Sequence, residues 1–201
     1  MSEDTQTLRF VQQENVRLRS ENNSLKDYVA RLLHAINALT DLQARLDTIS
    51  SETNVYNLIN SILALAVDAV DAENGSLMLL DEETKELVFV EVLGTRREAL
   101  LHHRMAGDTG IAGWVVINRK ARLAEEAKQD PLFSSSVDQI TGIHSKSLIC
   151  VPLIDGDRSI GAIEVVNTPS GRPFAEADRD ILQLVGRLAS VAIVLAERIT
   201  T

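Results

Sequence analysis

The chain has 201 residues, of which 45% are hydrophobic and 3% aromatic, and its formal net charge is −9. This negative charge, without a lysine and arginine cluster, disfavours nucleic-acid binding, and so few aromatic side chains disfavour a platform for stacked bases. No apolar run is long enough to span a bilayer, and the acidic, polar start MSEDTQ is unlike a secretory signal. One cysteine, Cys150, permits neither an internal disulfide nor a four-ligand zinc site. These features predict a cytoplasmic chain that contacts neither membrane nor nucleic acid.

The first fifty residues carry a leucine at every seventh position, which is typical of a coiled coil. The d positions are Leu18, Leu25, Leu32, Leu39 and Leu46, and the a positions include Asn15, Asn22, Val29 and Ile36. The g positions Glu14 and Glu21 would face the e positions Arg19 and Lys26 of a parallel partner. Paired asparagines at a are best tolerated in a two-stranded parallel coil. We therefore predict that residues 1–50 form a dimerisation stalk, a parallel coiled coil between two copies of the chain.

The second half of the stalk is more apolar than the first. Leu33, Leu42 and Ile49 occupy e or g positions, where the first half carries charges. A wider apolar stripe predicts that the coil opens there and packs on further helices. The polar stretch SSETN then breaks the heptad between Ser50 and Asn54. We place a second domain at 51–201.

Beyond the stalk, helical and alternating patterns follow in turn. Apolar residues from Leu58 to Val70 recur with a helical period, and a strand GSLMLLD and a hairpin strand LVFVEV follow. In that second strand, alternation predicts Val88, Val90 and Val92 on one face and Leu87, Phe89, Glu91 and Leu93 on the other. GTRREALLHH is too mixed to assign. Next come a short helix IAGWVVINRK, capped by Asp108 or Thr109, and a brief strand RLAEE.

A polar loop, AKQDPLFSSSVDQITGIH, precedes two strands, KSLICVPLI and SIGAIEVVN, which a DGD turn joins. A last amphipathic helix starts near Ala175. Hairpins between helices predict an α+β fold around an antiparallel sheet. The acidic residues Glu125, Glu126, Asp130 and Asp138 are expected to form a solvated rim.

Several segments together resemble a GAF domain, the small-molecule-sensing module of phosphodiesterases, sensor kinases and transcription activators. They are GSLMLLD, GDTGIAGWVV, VDQITGIHSKSLICVPL, SIGAIEVVN and the closing helix, and the resemblance covers Asn54 to Thr201. It implies an antiparallel sheet of five or six strands. Terminal helices would cover one face and dimerise, and loops and short helices on the other face would enclose a ligand pocket. The last helix would add Ile181, Leu188 and Leu195 to the dimer interface.

The resemblance places the pocket between the sheet and the segment 104–146. The candidate ligand-binding residues are Asp108, Thr109, Trp114, Glu125, Phe133, Asp138, Thr141, His144 and Ser147. GDTGIAG could offer backbone N–H groups to an anion, but its glycines more simply permit a tight turn and close packing of a helix. Trp114 could form the floor of a pocket or fill the core. The loop from Glu125 to His144 is expected to be a mobile lid.

Nucleotide-binding GAF domains carry an Asn-Lys, Phe and Asp-Glu signature. Asn167, Phe174 and Asp178 match it, whereas Thr168 replaces the lysine and Arg179 the glutamate. The resemblance implies an ion pair between that lysine and the aspartate, so we expect weak or no binding of cyclic nucleotides. The favoured interpretation is structural: a strand end, a packed ring and a carboxylate in the first helical turn.

No resident cofactor is identified from the residues. Some haem-binding GAF sensors use a histidine before the Val-Pro strand, but the spacing from His144 to Val151 and Pro152 differs, and a surface histidine is favoured. The bilin photoreceptors need a cysteine in the pocket loops, which this sequence lacks, so bilin is excluded. The sulfoxide-reducing GAF enzymes use several cysteines. No metal site and no catalytic constellation is predicted.

The leading hypothesis is a non-catalytic, homodimeric sensor that binds a small molecule and passes occupancy through its helices to a separate signalling protein. A relay to a separate protein is expected unless the chain is a fragment, because no effector segment is recognised. One alternative is an adaptor whose pocket is filled by its own side chains, with Trp114 and Phe133 as the plugs. Another is a cyclic-nucleotide-binding regulator, and an enzyme has only a possible pocket in its favour. The ligand stays open.

Overall fold

Within the described residues, six antiparallel strands form one sheet with helices on both faces. A computed structural model describes residues 3–46, 50 and 54–200, without the side chains of residues 3–6, 27, 31, 34, 38, 42, 45, 46 and 200. The strands are β1 (Asn74–Leu80), β2 (Glu86–Leu93), β3 (Arg104–Ala106), β4 (Arg122–Ala124), β5 (Leu148–Asp155) and β6 (Arg158–Val166). The helices are α1 (Glu3–Leu46), α2 (Val55–Ala69), α3 (Arg97–Leu100), α4 (Gly110–Asn118), α5 (Ser136–Thr141) and α6 (Glu176–Thr200). The strand order is β3-β2-β1-β6-β5-β4, which confirms the predicted α+β class and the antiparallel sheet.

Helices α2 and α6 cover one face of the sheet and form the larger core with it. The helical apolar pattern of α2 is confirmed, since Ile62 and Leu63 are fully buried against the sheet. α6 lies close to β5 because small residues face the sheet: a Cβ at Gly186 would come within 3.0 Å of Val151, and Ala189 is fully buried. Close packing of this kind makes the helix position sensitive to small shifts of the sheet.

The other face of the sheet carries α3, α4, α5 and the loops between them. The helix α4 begins where predicted, after Thr109, although no side-chain hydrogen bond caps it. Gly113 permits its tight start, because a Cβ there would lie 2.5 Å from the backbone of Asp108. Gly110 adopts a φ of +68°, which favours glycine. The glycines of GDTGIAG therefore shape the backbone beside the cavity described below.

A bulge in the hairpin overturns the predicted alternation of β2. The register runs from Leu77 opposite Glu91 to Met78 opposite Phe89, so Val90 is the extra residue. A bulge inserts one residue and reverses the faces of those that follow it. Val92 consequently packs in the same cluster as Phe89, and not on the side of Val90.

The first helix is continuous over the described residues, and most of its apolar seam is exposed in the single chain. Leu25 is 62% exposed and Val29 51%. Further along, Ala35 is buried and Leu39 packs against the helix-side core, where α1 contacts both α2 and α6. Leu33 is exposed. The side chains of Leu42 and Leu46, and residue Ile49, lie outside the described residues. Pairing of two copies through this seam stays a prediction.

Charged side chains on the stalk make pairs within the single helix. Arg17 donates to Glu21 at 2.7 Å and also pairs with Glu14. Exposed pairs of this kind add little stability, so both glutamates can also meet a neighbouring helix. In the described ranges, no helix combines the length and the apolar character needed to cross a membrane.

Candidate ligand-binding cavity

A cavity lies between the sheet and the elements α4 and α5. It leaves about 80 Å³ for the centres of water molecules, whereas a single water needs about 10–15 Å³ of such space. The start of α4, the segment Phe133–Asp138 and the strands β1, β2 and β6 contribute to its wall. The space is therefore large enough for several waters or for a small organic molecule.

One carboxyl group lies on the sheet floor of this cavity. Glu164 is half-buried in the central strand β6, opposite Ser76 of β1 and Cys150 of β5. Among the described residues, no hydrogen bond or ion pair reaches its carboxyl group. Desolvation, together with the negative charge of Asp138, raises the pKa of Glu164 to about 7. The floor thus carries an acid that is half ionised near neutral pH.

The roof of the cavity is fastened by side-chain hydrogen bonds. Asp138 of α5 accepts from the backbone N–H of Ser145 at 3.0 Å and from its hydroxyl at 2.6 Å. The buried Thr141 donates to the carbonyl of Val137 at 2.8 Å. The sequence predicted that Asp138 belongs to a solvated rim, and this prediction was wrong. Asp138 ties α5 to the segment that leads into β5.

Asp130 also departs from the predicted rim. Its carboxylate pairs with Arg122 at 2.8 and 3.0 Å and accepts from the backbone N–H of Leu132 at 2.9 Å. The carboxylate is largely buried, so these bonds order the loop that approaches the cavity. Glu125 and Glu126 are exposed, as expected.

Four of the nine candidate ligand residues line the cavity: Thr109, Phe133, Asp138 and Thr141. Glu125, His144 and Ser147 line a separate open groove beside residues 167–173. Asp108 is exposed before α4. Trp114 is half-buried, and the guanidinium of Arg122 lies 5.2 Å from the centre of its ring. Some of the predicted ligand-binding residues therefore line the cavity, and the others lie outside it.

Sequence reasoning missed the residues of the sheet floor. Ser76, Met78, Phe89, Val92 and Glu164 all line the cavity. A signal for one of them was available, because Glu164 is the lone charge in the apolar strand GAIEVV. Helices cover both faces of this sheet, so a charge inside one of its central strands indicates a site.

The residues that match the nucleotide signature make structural contacts here. Asn167, with φ of +58°, accepts from the N–H of Lys146 at 2.8 Å and donates to the carbonyl of His144 at 3.0 Å. Phe174 is 1% exposed in the helix-side core. The backbone N–H of Phe174 donates to the hydroxyl of Ser147 at 2.9 Å. These contacts join the end of β6 to the start of β5.

The ion pair expected to be missing is supplied by another residue. The guanidinium of Arg172 donates to both oxygens of Asp178, at 2.7 and 3.4 Å, and Asp178 is 1% exposed. Thr168, which stands at the lysine position, donates to the carbonyl of Arg172 at 2.7 Å. Asp178 also accepts from the N–H of Ala175, as a residue in the first turn of a helix can. Asp178 therefore has a cationic partner although the family's lysine is replaced by Thr168.

The part of the chain that the structure describes shows neither a cluster of metal ligands nor a reactive thiol. It contains no group of three or more histidine, cysteine, aspartate or glutamate side chains that could bind a metal. Cys150 is fully buried, and burial raises the pKa of its thiol well above the ordinary value. A buried neutral thiol is a packing residue.

Comparison with known proteins agrees with this architecture. The GAF domain of a phosphoenolpyruvate-protein phosphotransferase from Coxiella burnetii superimposes with a TM-score of 0.71 at 15% identity, over 83% of this chain and 96% of that one. The sequence pattern of the GAF domain family matches residues 52–194. The chain belongs to the GAF domain family. The long helix α1 lies outside the matched range, and its pairing is a separate question.

Two curated relatives share this GAF domain. A dual 3',5'-cyclic-AMP and -GMP phosphodiesterase 11A of Takifugu rubripes is 30% identical over 158 residues, which cover 72% of this chain and 17% of that protein. A probable 3',5'-cyclic phosphodiesterase of Caenorhabditis elegans is 24% identical over 186 residues, which cover 87% and 25%. The chain therefore spans at most a quarter of the length of these relatives.

Proposed function

We propose that this GAF domain is a non-catalytic, cytoplasmic sensor that binds a small molecule in the cavity beneath α5. The observation that carries the proposal is the unpaired carboxyl group of Glu164 on the cavity floor. Desolvating an ionisable group without a partner is costly, and perturbed groups in cavities are typical of functional sites. A ligand that supplied the partner would offset this cost.

The adaptor alternative requires a pocket filled by its own side chains. Trp114 does not line the cavity, and Phe133 forms part of its wall while open space remains beside it. Neither predicted plug fills the space. The geometry therefore favours a sensor over an adaptor.

We further propose that two copies pair through their helices and that ligand occupancy alters this pairing for a partner protein to detect. The a and d positions Leu18, Leu25, Val29 and Ile36 of α1 are exposed in the single chain, as are Leu184, Val191 and Leu195 of α6. The predicted interface residues Ile181 and Leu188 instead pack in the helix-side core of the same chain. Exposed apolar stripes of this length favour association. α6 packs directly on β5, so a ligand that prefers one position of the sheet would bias the helices.

A cyclic-nucleotide regulator is the second candidate, since two relatives are named as cyclic-nucleotide phosphodiesterases and Arg172 provides a cation for Asp178. Two acidic side chains, Glu164 and Asp138, line the cavity. Like charges repel, so the phosphate of a cyclic nucleotide would be disfavoured there. We rank this candidate below a sensor for another small molecule.

Native mass spectrometry of the freshly purified protein tests ligand binding. We expect a retained small molecule in the wild type. Val137→Trp places a large side chain at a residue that lines the cavity, whereas Ile140→Trp alters an exposed residue of the same helix. The first variant should lose the molecule and the second should keep it. Retention by both variants would place the binding site elsewhere.

The same spectra test the stalk. Replacing Leu25 and Leu32 by alanine should convert dimers to monomers, because each truncated buried leucine costs about 2–5 kcal/mol. Asn23→Ala with Ser24→Ala changes the outer b and c positions and should leave the dimer intact. A wild-type monomer at tens of micromolar, or dimers of unchanged strength in the leucine variant, would contradict the proposed pairing.

A further inference from the structure

Resting on the proposed function, we infer that the cavity takes a ligand with a protonated nitrogen, an amine or an amidine, on a small apolar body. The inference follows from the side chains that face the empty space. The carboxyl group of Glu164 lacks a donor, and a second carboxylate, Asp138, stands above it on α5. Such an arrangement calls for a hydrogen-bond donor that also carries positive charge.

No charged side chain of the cavity wall supplies a cationic hydrogen-bond donor to Glu164 among the described residues. Of the charged side chains that line the cavity, two are acidic, and Arg96 is basic. No ion pair joins Arg96 to either acid among the described residues, and Arg96 is exposed. The hydroxyl of Ser145 and its backbone N–H are already engaged with Asp138. The free capacity for a donor is therefore concentrated at Glu164.

The remaining wall specifies the body of the ligand. Phe89, Ile111 and Leu148 are buried and line the cavity around the acid. An apolar wall with a few polar groups orients a ligand by its charged end and stabilises it by burial of the rest. The available volume of about 80 Å³ favours a body about the size of one ring.

Binding of such a cation should be linked to proton release. The groups that face the carboxyl group of Glu164 are Asp138 from α5 and the neutral thiol of Cys150 from β5, with Arg96 at the cavity wall. Because its pKa is about 7, Glu164 is mostly protonated when the pH is below neutral. A bound ammonium group stabilises the ionised form, so the proton leaves as the ligand enters.

Isothermal titration calorimetry with benzylamine tests the inference, with benzyl alcohol and benzoate as neutral and anionic controls of similar shape. We expect benzylamine to bind most tightly, and Glu164→Gln to weaken it by about ten-fold, the loss of one charge-assisted hydrogen bond. Repeating the titration in buffers of different ionisation enthalpy should show proton release at pH 6 that fades at pH 8. The amide introduced by Glu164→Gln cannot titrate, so this variant should release no proton at either pH.

Glu83→Gln, at an exposed residue that lines neither the cavity nor the neighbouring groove, is the matched control and should behave like the wild type. Equal binding of benzylamine and benzyl alcohol, abolished in Val137→Trp, would overturn the inference while leaving the proposed function intact. Failure of benzylamine to bind at millimolar concentration would also overturn it. If the wild type retains no small molecule in native spectra and none of the three probes binds, the proposed function falls as well.

Discussion

Replacing Arg172 by alanine should lower the free energy of unfolding by about 3 kcal/mol, because removing one partner of a buried ion pair leaves the other charge uncompensated. Asp178 is 1% exposed and accepts two hydrogen bonds from the guanidinium. Water can reach the site where Arg172 lies, since its side chain is 30% exposed, and this keeps the cost at the lower end for a buried pair. Urea denaturation at neutral pH measures the change.

A double variant separates the charge from the packing. Asp178→Asn keeps an acceptor for the N–H of Ala175 and removes the negative charge. Arg172→Ala combined with Asp178→Asn should therefore be more stable than Arg172→Ala alone. If the two substitutions add without any recovery, the ion pair contributes only through packing and the interpretation of Arg172 as a substitute cation is wrong.

Glu164→Gln should stabilise the protein at pH 8 several times more than at pH 5. The pKa of Glu164 is raised from the ordinary 4.5 to about 7 in the folded state. Between these values the folded chain binds more protons than the unfolded chain, so this group makes stability fall as pH rises and has no further effect above neutrality. Glutamine is neutral at every pH in this range, so the variant does not lose stability in this way as the pH rises.

The expected gain at pH 8 is about 1–3 kcal/mol, with the upper figure for a group fully shielded from water. Urea denaturation of protein freed from small molecules, at pH 5, 6, 7 and 8, measures the difference between variant and wild type. Glu125→Gln is the matched control, because Glu125 is exposed. A difference that is the same at pH 5 and pH 8 would show that Glu164 titrates normally.

The order of the elements could be predicted from the sequence because local patterns carry it. Short apolar runs bounded by turn residues mark β1, β5 and β6, and helical periods mark α2 and α6. The bulge in β2 could not be predicted, since an extra residue leaves no trace in an apolar run such as LVFVEV. The short helix α3 was also missed. It has four residues, and Arg97 is fixed by an ion pair to Glu91 at 2.9 Å, a tertiary contact rather than a period.

The site was predictable in part, for similar reasons. Motif position identified Thr109 and Thr141, but it could not show that Glu164 faces the cavity, because that depends on the sheet order. Arg172 was overlooked since its approach to Asp178 depends on the path of a loop that Thr168 fastens. Side chains whose role comes from distant parts of the chain are those that local patterns describe least well.

Amide hydrogen exchange tests the central claim, that cavity occupancy is felt by the helices of the opposite face. The protein as purified is compared with the same protein after unfolding, removal of small molecules and refolding, and again after its extracted small molecules are returned. We predict faster exchange in α5 and in α6 of the emptied protein, with recovery on return. Exchange that changes in α5 alone, with α6 indifferent to occupancy, would contradict the sensor account.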